Sequence, residues 1–300
     1  MSDNLRLKDQ LQMAVEIANF LNYMENIQSC SPLTRKAYLL DLTQAFGEYL
    51  NPENRNQRVS ETTLTVAARA ALLRWGNLSL SSRNRKSATL KSFFGYLFQE
   101  SKIERDFASQ IRSPKIPKKI PHFISVDEAL AVLQSFETDP DPNPDEKLLF
   151  LLLYGCGLRV SEACRLEWKN IDLNQKILRI IGKGGKERLV AAPKPVIDIL
   201  IRRSRISASV WAGMELSSRK AYEWIRRRGQ KAGLLRPIHP HALRHSFATH
   251  LLSSGANLRT LQELLGHESL QATEKYTHLG VDQLARTLDS HHPLGIRTRK

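Results

Sequence analysis

A chain of 300 residues with 41% hydrophobic side chains is long enough for two domains of ordinary size, each with its own core. Its 45 Lys+Arg against 30 Asp+Glu give a net charge of +15, which points to a polyanionic partner, with nucleic acid as the first candidate and a merely basic enzyme as the plainer reading. Three cysteines, Cys30, Cys156 and Cys164, are odd in number and form no CxxC pair, which excludes a disulfide framework and a zinc site and suits free thiols in a reducing cytoplasm.

The N-terminus, MSDNLRLK, carries no apolar signal segment. Amphipathic helices are expected over about 8–27, 32–50, 60–75 and 80–99. Ser31-Pro32 is a strong start signal, an N-cap followed by proline at the first helical position. The fourth helix opens with Arg83, Arg85 and Lys86, and then Leu90, Phe93, Phe94 and Leu97 recur at helical spacing. Its basic end is either a phosphate-backbone contact or a solvated helix end. "SPKIPKKIP" (113–121) has three prolines, three lysines and no acid, and reads as an interdomain linker. The charge excess is shared: 18 basic against 11 acidic groups over 1–119, and 27 against 19 over 120–300.

A capping box, Ser125 to Glu128, starts the next helix. "LLFLLLYGCGL" (148–158) is too short to span a bilayer and reads as a buried helix. "KILRI" (176–180) and "LVAA" (189–192) flank Gly-Lys-Gly-Gly and read as a β-hairpin. Helices follow near 194–203, 218–232, 241–253, 258–265 and 270–277, with Gly255 and Gly266 at helix ends. A trimmed loop or helix at 204–217 is what the resemblance drawn below implies. A last short helix carries Leu279, Leu284 and Leu288 on one side; the plain reading folds it back on its own domain, but packing on a neighbouring subunit is the expectation, as the resemblance drawn below implies.

Four pieces of the second half carry chemistry. In "YGCGLRVSE", Arg159 stands at a helix start, where a rigid guanidinium can face a phosphate and Glu162 can lock it; the plain alternative is a structural Arg–Glu pair. In "IGKGGKER", Lys183 sits at a hairpin tip between glycines, placed to protonate a leaving oxygen or simply to be solvated. In "HALRHSFATH", His241 and Arg244 share a helix face near an N-terminus that favours an anion, and no carboxylate completes a metal site with His245. In "LLGHESLQATEKYTH", His267 lies at a turn and Tyr276 on the helix after it. A tyrosine, with its ordinary pKa near 10, becomes a nucleophile only in a cationic, hydrogen-bonding pocket.

The order Arg159, Lys183, His241-x-x-Arg244, His267, Tyr276 resembles the tyrosine recombinase (phage integrase) family over essentially the whole chain. "THLLSSGANLRTLQELLGHESLQATEKYTH" is similar to the bacterial Xer recombinases, and the tail "LDSHHP" (288–293) to their XerC type. The resemblance implies a mainly α protein: an N-terminal helical-bundle core-binding domain (1–112), a linker (113–123), and a mostly helical catalytic domain with a small β-sheet (124–300). It implies DNA strand exchange through a 3′-phosphotyrosyl link on Tyr276. Arg159 and Arg244 would clamp the phosphate, Lys183 would protonate the 5′ oxygen, His241 would act as acid/base and His267 would hydrogen-bond the phosphate. No cofactor and no metal are implied. The partners implied are a double-stranded recombination site, a related second recombinase (XerD-like) in a heterotetramer, or a homotetramer, and a septal DNA translocase (FtsK-like), with no membrane and a cytoplasmic location. The implied role is resolution of chromosome dimers at cell division. The alternatives are a phage, integron or transposon integrase with the same chemistry, and a non-catalytic DNA-binding protein of this fold.

Overall fold

The computed structural model describes residues 10–28, 30–51, 53, 57–117, 123–182, 187–257, 287–288 and 290–296. The chain divides into two compact units, Met1–Lys119 and Ile120–Lys300. Among the described residues no helix is long and apolar enough to cross a membrane.

The first unit is a helical bundle with a small β-pair. Its elements are β1 (Gln10–Gln12), α1 (Met13–Asn26), α2 (Pro32–Phe46), β2 (Arg58–Ser60), α3 (Glu61–Arg74) and α4 (Leu80–Gln99). Ser31 caps α2 by accepting from the Thr34 amide at 3.2 Å, with Pro32 in the first turn. Ser60 and Ser79 do the same for α3 and α4. The core gathers Phe20, Leu42, Phe46, Leu64, Phe93 and Phe94, all fully buried. Phe93, Phe94 and Leu97 fall on one side of α4 because the 3.6-residue repeat puts them there. The pair β1–β2 runs antiparallel with Leu11 opposite Val59. A helix was expected from residue 8; a three-residue strand precedes it instead, too short for its alternation to show in the sequence. The second helix ends at Phe46 and continues only as a 3₁₀ turn over Gly47–Tyr49.

The second unit comprises α5 (Val126–Thr138), α6 (Pro144–Gly155), α7 (Val160–Cys164), β3 (Ile171–Asp172), β4 (Ile177–Ile181), β5 (Glu187–Ala191), α8 (Lys194–Ser204), α9 (Ser218–Lys231), α10 (Pro240–Ser253) and α11 (Pro293–Ile296). The Ser125–Glu128 capping box forms, with Glu128 Oε2 accepting from the Ser125 amide at 2.7 Å. Helix α6 is the hub, and every residue from Leu148 to Tyr154 is almost wholly buried. Strands order as β3-β4-β5, antiparallel throughout, with Leu178 opposite Val190. Strand β3 is an addition to the expected hairpin, and it is only two residues long.

Residues 205–217, between α8 and α9, contribute to the core. Val210, Trp211 and Leu216 enter the main core, and Trp211 Nε1 donates to the Ala163 carbonyl at 3.1 Å. This bond ties the segment to α7, the element that begins at Arg159. The tail also departs from the expected packing on a neighbouring subunit. Leu288 packs with Ala191, Phe247 and Leu251, and Leu294 joins the main core of the same unit. At these two residues the tail is part of its own domain; Leu279 and Leu284 lie outside the described residues.

Candidate active site

The loop "YGCGLRVSE" builds the centre of the site. It leaves α6 through Gly157, whose φ of +62° lies in the left-handed region. A Cβ there would stand 2.5 Å from the Phe247 ring, so only glycine fits. Gly157 presents its carbonyl to Arg244 Nη1 on α10. Arg159 follows as the N-cap of α7, with extended backbone angles.

One carboxylate organises three guanidiniums. Glu162 Oε2 accepts from the Arg159 amide at 2.7 Å and Oε1 from Arg159 Nη1 at 2.9 Å. Arg188 of β5 donates to both oxygens, Nη1 to Oε1 at 2.9 Å and Nη2 to Oε2 at 2.8 Å. Arg244 Nη1 stands 3.8 Å from Oε2. Burial alone pushes the Glu162 carboxyl up, but the hydrogen bonds and charge of Arg188, with those of Arg159, outweigh it and hold it at about 2. Burial and the neighbouring charge of Arg159 lower the Arg244 guanidinium to about 10, against the pull of Glu162. Arg244 is thus charged at neutral pH in a place that disfavours charge, which is the condition of a site built for an anion. The Arg159 side chain keeps 42% exposure, so its fork can reach a ligand.

His241 lies in the first turn of α10, exposed, one turn before Arg244. The helix is capped by His239, whose Nδ1 accepts from the Ala242 amide at 3.1 Å. Tyr222 stacks on His239 with ring centroids 6.4 Å apart and meets His241 edge-on at 6.2 Å. Below them Tyr154 and His250 share a buried hydrogen bond of 2.9 Å. Lys183, His267 and Tyr276 lie outside the described residues. Among the described residues no group of three His, Cys, Asp or Glu could hold a metal ion. The cysteines are free thiols, and burial raises the Cys156 and Cys164 pKa values, which suits packing more than reactivity.

Sequence reasoning named Arg159, Arg244 and Glu162 but passed over Arg188. A signal existed: Arg188 shares a strand face with Val190, and an arginine on a buried face needs a partner. The N-cap role of His239 was also missed, since histidine is not among the usual capping residues.

In the first unit, Arg83, Arg85 and Lys86 do not share one role. Lys86 is buried and donates to Asp41 Oδ1 at 2.8 Å, with its ammonium 4.6 Å from the Trp75 ring centre. Arg85 pairs with the same carboxylate, and Thr89 Oγ1 donates to it at 2.9 Å. Arg83 has no ion pair among the described residues and lines a hollow of roughly 330 Å³ with Arg69, Arg112, Trp75 and Phe107. Among the described residues Arg69, Arg83 and Arg112 have no carboxylate partner there, Arg69 donating to Gln110 Oε1 instead, while Lys86 is spent on the fold.

The phage integrase family model matches residues 122–282, and the phage integrase N-terminal SAM-like domain matches 17–101. A curated relative, Tyrosine recombinase XerC of Myxococcus xanthus, is 34% identical over 293 residues, covering 92% of this chain and 97% of that protein. Among solved structures, a lambda integrase dimer bound to a COC′ core site has a TM-score of 0.67 at 18% identity, covering 91% of this chain and 79% of that one. XerH site-specific recombinase bound to difH substrate, in a pre-cleavage complex, gives 0.60 at 23%, covering 86% and 80%.

Proposed function

Because the chain belongs to the phage integrase family of tyrosine recombinases, we propose that Tyr276 is its nucleophile and that Arg159 and Arg244 hold the scissile phosphate. The protein is a DNA breaking-and-rejoining enzyme, and the steps follow from the residue chemistry. The Tyr276 oxygen attacks phosphorus and gives its proton to His241. The bond from phosphorus to the 5′ oxygen breaks, and that oxygen takes a proton from Lys183. A 3′-phosphotyrosyl link and a free 5′-hydroxyl result. His267 hydrogen-bonds the phosphate. The link stores the energy of the broken bond, so a second 5′-hydroxyl can reseal it without nucleotide.

The observation that carries this reading is the arginine cluster on Glu162. Three guanidiniums face one carboxylate, and the surplus positive charge matches the charge that builds on a phosphoryl oxygen during attack. Arg159 and Arg244 supply the electrophilic stabilisation that many nucleases take from a metal ion, so cleavage should persist in EDTA. The substrate is a short double-stranded recombination site, read in the cytoplasm. Four subunits act together, either two copies each of this chain and a related recombinase, or four copies of this chain. Similarity to XerC over most of the chain supports chromosome dimer resolution at cell division as the biological role.

A nicked suicide substrate tests the reading. Wild type should be trapped as a covalent protein–DNA adduct, and Tyr276→Phe should bind the same DNA and form none. Lys183→Ala should fail on an ordinary phosphodiester and recover on a substrate with a 5′-bridging sulfur, which leaves without protonation. An adduct from the Phe variant would move the nucleophile elsewhere.

A further inference from the structure

Arg188 has no part in the steps above, yet it is the most tightly held guanidinium of the site. Its side chain is 7% exposed, and both terminal nitrogens are bound to Glu162 at 2.9 and 2.8 Å. Its Nε is buried with no hydrogen-bond partner. Stability does not explain such a pair, since an apolar pair of similar volume holds a fold at least as well. Charge does. Without Arg188, Glu162 would have only Arg159 at 2.9 Å and Arg244 at 3.8 Å as neighbours, and its charge would cancel half of theirs. With Arg188, three guanidiniums face one carboxylate, and two positive charges are left over.

The difference bears on chemistry more than on binding. A phosphodiester carries one negative charge, and the five-coordinate species formed by tyrosine attack carries a second. Interactions that strengthen only as that second charge develops accelerate cleavage without tightening the ground state.

We propose that Arg188 is a positioning residue for the cleavage step: by holding both oxygens of Glu162 it keeps this carboxylate from neutralising Arg159 and Arg244, which then face the phosphate with their charge intact. This rests on the assignment of Arg159 and Arg244 to the scissile phosphate. Glu162 in turn still orients Arg159 through the backbone amide. Arg188 also follows Lys183 by five residues in sequence.

The test is a charge rescue, read by single-turnover cleavage of the suicide substrate at saturating protein, with half-site affinity measured by gel shift. Arg188→Met should slow cleavage about 100-fold, as loss of one preorganised charge does, and change half-site affinity by less than about threefold. Adding Glu162→Gln removes the offending charge and keeps the amide acceptor for Arg159, so the double variant should regain about tenfold or more. Arg188→Lys keeps the charge and loses the fork, and should cleave within about tenfold of wild type. A folded Arg188→Lys protein as slow as about 100-fold below wild type overturns the proposal, as does a double variant no faster than Arg188→Met. The Lys variant decides the matter even where the Met variant does not fold. Absence of any wild-type adduct would instead sink the recombinase reading itself, a result distinct from failure of the rescue.

Discussion

Gly157 holds a backbone angle that L side chains rarely adopt, and the Phe247 ring stands where its Cβ would go. Gly213 is left-handed too, at φ +82°, but nothing lies within 4 Å of its missing Cβ. The two positions separate conformational strain from steric contact. Gly213→Ala should cost about 1–2 kcal/mol, the strain alone. Gly157→Ala should cost about 2–4 kcal/mol, because the Phe247 ring must also move. It should slow cleavage as well, since the Gly157 carbonyl receives Arg244. Urea unfolding of the two variants decides this, and equal losses would mean that the ring contact carries no weight. The same residues show what a sequence can disclose. Arg159 and Arg244 were legible because a charge at a helix start needs an anion. Gly157 stood only as part of the run "YGCGLRVSE" that carries Arg159. Its approach to Phe247, 90 positions along the chain, depends on the packing of α6 against α10 and has no local signature.

At the scale of elements, α2, α4, α5 and α9 are capped by Ser31, Ser79, Ser125 and Ser217, each accepting a backbone hydrogen bond, and the caps of α2 and α5 were legible in the sequence. The short strands were not, because two or three residues are too few to show alternation and their pairing is set by tertiary contact. Helix α4 shows the same limit for function. Its Arg83, Arg85 and Lys86 look equivalent in sequence, yet Asp41 on α2 takes two of them, and Arg83 has no ion pair among the described residues. Lys86→Ala should therefore lower stability by about 3 kcal/mol, the usual loss on breaking a buried pair, and leave the salt dependence of DNA binding unchanged. Arg83→Ala should leave stability within about 0.5 kcal/mol and reduce the slope of log affinity against log salt by about one. Half-site titrations from low to high salt read the slope. An unchanged slope in the Arg83 variant would remove α4 from the DNA-contacting surface.

At the scale of the whole molecule, the core of the second unit contains a histidine that has no room for charge. His292 is fully buried against the rings of Tyr154 and Phe247, at 4.9 and 5.4 Å between centres, and its Nδ1 accepts from the Leu294 amide at 3.2 Å. Burial, and then the nearby His250, push its pKa from 6.5 down to about 3. His250, bonded to the Tyr154 hydroxyl, is lowered too, by burial. A folded-state pKa below the unfolded value means that the unfolded chain binds the proton more readily. The contribution of His292 to stability is therefore whole above pH 6.5 and is lost as pH falls toward 3. Glu162, held at about 2, loses its contribution in a lower window, below the ordinary carboxylate range. Between pH 7 and pH 5 the histidine alone should cost about 2 kcal/mol. His292→Phe keeps a ring in the same space and cannot take up a proton. Its stability should fall between pH 7 and pH 5 by about 2 kcal/mol less than that of wild type. Urea unfolding followed by tryptophan fluorescence suits the measurement, since Trp168, Trp211 and Trp224 all lie in this unit. Because Leu288 and Leu294 flank the histidine and are themselves core residues, removing everything after Thr287 should destabilise the unit well before it affects assembly on DNA. A truncated chain of wild-type stability, or a Phe variant with the wild-type pH slope, would show that the tail does not close this core.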